Sequence, residues 1–127
     1  MITIYGIDEV LNPVKERMSD VLHTCMMDIL GLPGDKRAHR FVPLDKSNYF
    51  YPGGRTDRYT VIEINMMQGR SVETKKALIK AIFSKFDSVL GIAPMDVEIT
   101  INEQPAHCWG FRGMTGDEAK LNYEVSV

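Results

Sequence analysis

The chain has 127 residues, 15 of them basic and 17 acidic, for a net charge of −2. Hydrophobic residues make up 44% and charged residues 25%, the balance of an ordinary globular protein long enough to bury a core without staples. No basic stretch stands out and no apolar run nears membrane-spanning length, so neither nucleic acid nor membrane is expected as a partner.

Residues 2–7, "ITIYGI", read as a first strand. Asn12-Pro13 offers a cap followed by a proline in the first helical turn. Val14, Met18, Val21, Leu22, Cys25 and Ile29 recur at helical spacing, so a helix is expected over about 13–30, stopped by Gly31 and Pro33. "HRFVPL" (39–44) is the next strand. The segment 45–58 is a polar and aromatic loop. Its Tyr49, Phe50 and Tyr51 are too aromatic for an exposed turn and are expected in a subunit contact or a pocket wall.

"YTVIEINMM" (59–67) alternates as a strand, with Ile62, Ile64 and Met66 on one face. A second helix is expected over about 71–90. Its apolar stripe is Leu78, Ile79, Ile82, Phe83, Phe86 and Leu90, and Gly91 and Pro94 end it. "VEITI" (97–101) is the last alternating strand of this series. A tail, 104–127, holds Trp109 and Phe111. It closes on the alternation Leu121, Tyr123, Val125, Val127, which suits pairing with a sheet edge, its own or a neighbour's.

The order is strand–helix–strand, twice. "ILGLPGDKRAHRFVPL" and "VLGIAPMDVEITINE" both give Leu-Gly, an apolar residue, a nearby proline and a strand, which marks an internal repeat. The fold class is therefore α/β. Two βαβ repeats, about 1–44 and 59–103, form a four-stranded sheet with two helices on one face, in a single domain spanning 1–127. The face opposite the helices would carry Thr3, Tyr5, Glu63, Asn65, Glu98 and Thr100.

One charge sits oddly in this scheme. Arg70 lies between a strand and a helix start, where the helix dipole disfavours a cation by about 0.3–1 kcal/mol. It reads either as a solvated loop arginine or as half of an anion site, with the free N–H groups of the helix start supplying the other half. "QGR" lacks a glycine-rich phosphate loop, so the anion would be a small carboxylate rather than a nucleotide.

With these features in order, the chain resembles the 4-oxalocrotonate tautomerase-like family. The shared segments are "INMMQGRSVETKKALIKAIF", the Ala-Pro turn before "VEITINE", and the "HCWGFRG" tail. The two-unit pattern over nearly the whole chain is similar to fused members such as malonate semialdehyde decarboxylase. The resemblance implies a homotrimer that acts on small carboxylate substrates, and active sites at the start of the first strand. It also implies an amino-terminal proline whose amine carries protons. Arg70 matches the family's helix-start arginine. Arg40 matches a second carboxylate-binding arginine, Gln68 stands where an additional arginine occurs, and Trp109 or Phe111 matches the tail aromatic that excludes water.

The departure is at the start: "MITIYGI" has no proline at position 2. Ile2 is bulky, so Met1 is expected to be retained and its primary amine to stand in for the proline. An ordinary α-amine has a pKa of about 7.7–8.0, and neighbouring arginines and burial would lower it. Two readings stay open. In one, a keto–enol isomerase uses Met1 as proton shuttle and Arg70 and Arg40 as carboxylate grips. In the other, a carboxylate-binding or assembly protein has lost the family's base.

The remaining candidates read blandly. His23 falls nearly opposite the apolar stripe of the first helix and is expected at the surface. His39 and His107 lie beside no ligand at metal spacing. Lys36, Arg37 and Arg40 form a small basic cluster, read as solvated charge except for a pocket role for Arg40. Cys25 and Cys108 fit neither a disulfide framework nor a zinc site. The expectation is a cytoplasmic protein with no cofactor and no metal.

Overall fold

The computed structural model describes residues 1–127. Strand β1 (Ile2–Ile7) leads into a one-turn helix α1 (Asp8–Leu11), then helix α2 (Lys15–Leu30) and strand β2 (His39–Leu44). The second unit runs β3 (Thr60–Met67), α3 (Val72–Leu90) and β4 (Val97–Gln104). The sheet order is β2-β1-β3-β4. Within each unit the strands are parallel, and β1 meets β3 antiparallel.

The alternation in the strands decides which side is covered. Ile2 and Ile4 of β1 and Ile62, Ile64 and Met66 of β3 point to the helices and are buried. They join Met18, Leu22, Leu30, Leu78, Ile82 and Phe86 from α2 and α3 in one core. The two long helices each end on a glycine in the left-handed conformation, Gly31 (φ 69°) and Gly91 (φ 66°), as the sequence signals imply. Ser71 caps α3 by accepting from the Thr74 backbone N–H at 3.1 Å. No helix is long and apolar enough to cross a membrane.

Three expectations are corrected. Asn12-Pro13 does not open the long helix. Asn12 closes the short α1, and α2 begins at Lys15 with Val14 in the cap position and no side-chain cap. His23 is not at the surface. The loop after α2 folds over it, and its Nε2 donates to the Gly34 carbonyl at 2.8 Å. The expectation for the aromatic loop stands open: Phe50 is 92% exposed on the single chain, as a subunit-contact residue would be, while Tyr49 and Tyr51 pack on Tyr59. The closing alternation of the tail joins no sheet of its own chain; the tail's only strands are the short pair β5 (Gly110–Phe111) and β6 (Met114–Thr115).

The end of the tail docks on the start of α3 instead. The Val127 carbonyl accepts from the Ser71 N–H at 3.3 Å and from the Thr74 hydroxyl at 2.7 Å. Val125 lies over Gly69, whose φ is +141° and whose absent Cβ would meet Val125 Cγ1 at 2.8 Å. Both backbone conformation and space therefore require glycine here. Gly69→Ala is expected to cost about 1–3 kcal/mol, read as a lower midpoint in urea. An unchanged midpoint would mean that the tail does not press on this loop in solution.

Candidate active site

The antiparallel β1–β3 junction sets the site. Ile2 pairs with Ile64, so Met1 lies beside Asn65 at the end of β3, where the chain turns toward α3. The Met1 amine donates to the Asn65 carbonyl at 3.0 Å, and the Asn65 N–H donates to the Met1 carbonyl at 2.8 Å. Past that turn, Arg70 folds back under the tail. A cavity of about 330 Å³ opens between these segments. Met1, Arg70, Trp109 and Phe111 line it, together with Lys36, His39, Asn65 and Tyr123. Ile2, Met26, Leu30, Leu32, Met66 and Met67 make the rest of the wall largely apolar.

Arg70 is only 7% exposed. Its Nη1 donates to the Met67 carbonyl at 3.2 Å, and its buried Nε has no partner. Burial lowers its pKa, while Tyr123 and Glu103 partly hold it up. It stays cationic, because a guanidinium keeps its proton in proteins. Glu103 does not pair with it: that carboxylate is bound to Lys75 at 2.7 Å. No residue of the helix start lines the cavity, and the Val127 carbonyl lies across that end, accepting from the Ser71 N–H and the Thr74 hydroxyl. This corrects the expectation of a joint site made of Arg70 and free helix N–H groups.

The Met1 amine is held well below its ordinary range, at about 6. Burial is the largest cause, followed by the charges of Lys36, Arg70 and Arg40. Met1 as a residue is 41% exposed, but its amine is fixed against Asn65. At that pKa about nine-tenths of the amine is neutral at pH 7, against roughly a tenth to a fifth for an unperturbed one.

Two expected site residues do not line the cavity. Arg40 pairs in register with Thr3, on the sheet face away from the helices. It is exposed, and its guanidinium contacts the Met1 sulfur. Its charge reaches the amine, but its side chain does not enter the pocket. The physical reason is strand alternation: a one-residue shift in register swaps the faces, and His39, opposite Ile2, faces inward instead. Gln68 is exposed in the β3–α3 turn and uses its backbone N–H to bond Gln104 at 2.9 Å.

The second cation in the cavity is Lys36, read from sequence as solvated charge. Its Nζ lies 5.6 Å from the Phe111 ring centroid and 5.3 Å from that of Tyr123. Tyr123 was visible in the sequence only as part of an alternating tail. No local pattern in "GDKRAHR" separates Lys36 from its basic neighbours. No group of His, Cys, Asp and Glu is arranged to hold a metal.

Comparison with known proteins fits this architecture. The family model described as "Tautomerase enzyme" (Tautomerase_2) matches residues 36–112. "Probable tautomerase YusQ" of Bacillus subtilis is 30% identical over 101 residues, covering 76% of this chain and 80% of that protein. The crystal structure of a malonate semialdehyde decarboxylase superposes with a TM-score of 0.80 at 20% identity, over 90% of this chain and 92% of the other. A fused 4-OT, solved as an asymmetric trimer, gives a TM-score of 0.80 at 24% identity, over 91% and 95% of the two chains. With the family model spanning well over half of its length, this chain belongs to the tautomerase superfamily.

Proposed function

We propose that this protein is a cytoplasmic homotrimer that binds a small 2-keto acid or its enol and interconverts the two, with the Met1 amine as proton shuttle. The observation that carries the reading is Arg70: a buried guanidinium with no carboxylate of its own, lining the same cavity as the Met1 amine. A substrate carboxylate supplies the missing counter-charge. Lys36 adds a second positive group nearby, in the role first expected of Arg40. Gln68 is left without a part in binding.

In the forward direction the Met1 nitrogen takes a proton from the carbon next to the keto group. The electron pair of that C–H bond becomes the C=C bond, and the carbonyl pair moves onto oxygen. The proton then returns to that oxygen, giving the enol. Cationic groups around the cavity stabilise the charge on oxygen. Trp109, Phe111 and the methionines keep bulk water out, which strengthens these interactions. Support for the trimer is the fused 4-OT likeness, and the exposed Phe50 is a candidate for the subunit contact. The free thiols of Cys25 and Cys108 suit a reducing compartment.

The test is phenylpyruvate keto–enol conversion, followed by ultraviolet absorbance across pH. A base works only when neutral, so kcat/KM should rise about tenfold per pH unit up to about 6, the pKa of the Met1 amine, and level off above it. An inflection at the ordinary α-amine value, or a flat profile, removes Met1 as the base. No conversion at all leaves the carboxylate-binding reading.

A further inference from the structure

His39 lines the cavity and has no role in the proton shuttle described above. Its ring is held from behind. Nδ1 lies 2.8 Å from the Ser19 hydroxyl on α2. That oxygen also accepts from Arg37 Nη1 at 3.3 Å, and the same Nη1 is held by Asp20 at 2.7 Å. The Ser19 hydroxyl hydrogen has a single acceptor within reach, the Nδ1 of His39. If Nδ1 carried a proton instead, the hydroxyl hydrogen would have no acceptor in the protein. Pairing every group within the protein favours the His39 proton on Nε2.

The other ring nitrogen is free. Nε2 of His39 bonds no protein group, and it is not sealed away as Nδ1 of His23 is. Register puts His39 opposite Ile2, on the lining of the same cavity as Met1, and the charge of the Met1 amine reaches it. We infer that His39, as a neutral imidazole with its proton on Nε2, donates a hydrogen bond to the substrate's carbonyl oxygen, and that Ser19 and Arg37 position it. The inference rests on the keto–enol reading given above, in which charge develops on that oxygen.

A neutral imidazole suits this position. It donates without adding another full charge to a cavity that already holds Arg70 and Lys36. A fixed N–H aimed at a developing oxyanion costs no reorganisation when the charge appears. Neutral histidine is a known electrophile in enolisation chemistry. Burial, Arg37, His23 and the chain's amino-terminal charge hold the His39 pKa down at about 4, so the ring is uncharged throughout the working pH range. No proton leaves His39 in the step: the C–H proton goes to Met1, and Nε2–H only shares its hydrogen with the oxygen.

Two kinds of measurement test this. Nitrogen-15 NMR of histidine-labelled protein at neutral pH should show His39 protonated on Nε2 and bare on Nδ1, and Ser19→Ala should shift the ring toward the other tautomer. Oxalate, a planar carboxylate resembling pyruvate enolate, should move the Nε2 signal. In the kinetic arm, His39→Phe should lower kcat for phenylpyruvate by about 10²-fold with little change in KM. His39→Gln, which keeps an N–H near the Nε2 position, should recover most of the loss. A merely structural ring would be replaced better by Phe than by Gln, so the opposite ranking overturns the inference. So does a proton on Nδ1. If wild-type protein converts no keto acid, the functional reading fails. The NMR arm then decides for His39 alone, since a ring that oxalate leaves unmoved at the highest concentration used is no oxyanion donor.

Discussion

Acylating the Met1 amine lowers phenylpyruvate conversion by about 10²-fold or more, the usual contribution of a positioned general base. The modification can be made selectively. With the amine at about 6 and lysines normally near 10.4, a reagent used close to neutral pH finds the amine neutral and the lysines charged. Mass spectrometry of the terminal peptide confirms a single adduct and shows that Lys36 is untouched. The same low pKa predicts a labelling rate that levels off above about pH 6, so a rate still climbing toward pH 8 would argue against the depressed amine.

A rate unchanged by the block would leave binding as the only function of the cavity. A proline inserted between Met1 and Ile2 provides the reverse experiment. Removal of the initiator methionine would then leave a secondary amine at the mouth of the same cavity. A large gain in rate would show a pocket complete except for its base, and no gain would show that the pocket does not orient a keto acid.

Arg70→Ala has the second large effect. A charge-assisted hydrogen bond to a substrate carboxylate contributes about 1.5–3 kcal/mol, so kcat/KM should fall by about 10–150-fold, mostly through KM. Arg70→Lys keeps the charge but not the planar fork and recovers only part of it. Two companion readouts separate this from general damage. Arg70 is one of the charges that depress the Met1 amine, so its removal should move the inflection of the pH–rate profile upward from about 6. The side chain is a buried cation without a carboxylate partner, so its loss should leave stability unchanged or raise it. A variant that loses activity and also unfolds in less urea would make Arg70 a structural residue.

Much of the architecture is legible because it rests on local patterns. The β3 alternation of Ile62, Ile64 and Met66 and the α3 stripe of Leu78, Ile82 and Phe86 each mark one buried face. Gly31 and Gly91 mark helix ends by their tolerance of positive φ. The helix-start arginine and its glycine also stand out, and Gly69 proves to be required by the tail that crosses it. The failures are of a different kind. Asn12-Pro13 offered a plausible cap, but a short extra turn, Asp8–Leu11, used it as a stop. His23 lies where helical geometry alone predicts solvent, yet a later loop covers it.

The cavity lies mostly beyond such patterns. Arg40 and His39 are adjacent in sequence, and strand register alone decides which of them enters. Lys36 looks like its basic neighbours until Phe111 and Tyr123, more than seventy positions away in the chain, close around it. Local periodicity fixes the elements, the repeat and the family likeness, because each depends on residues within one turn or one strand of each other. The meeting of Met1 with Arg70 depends instead on the two units joining antiparallel. That junction brings the first residue of one unit against the last strand positions of the other. A parallel junction would have left the same amine at the far end of the sheet.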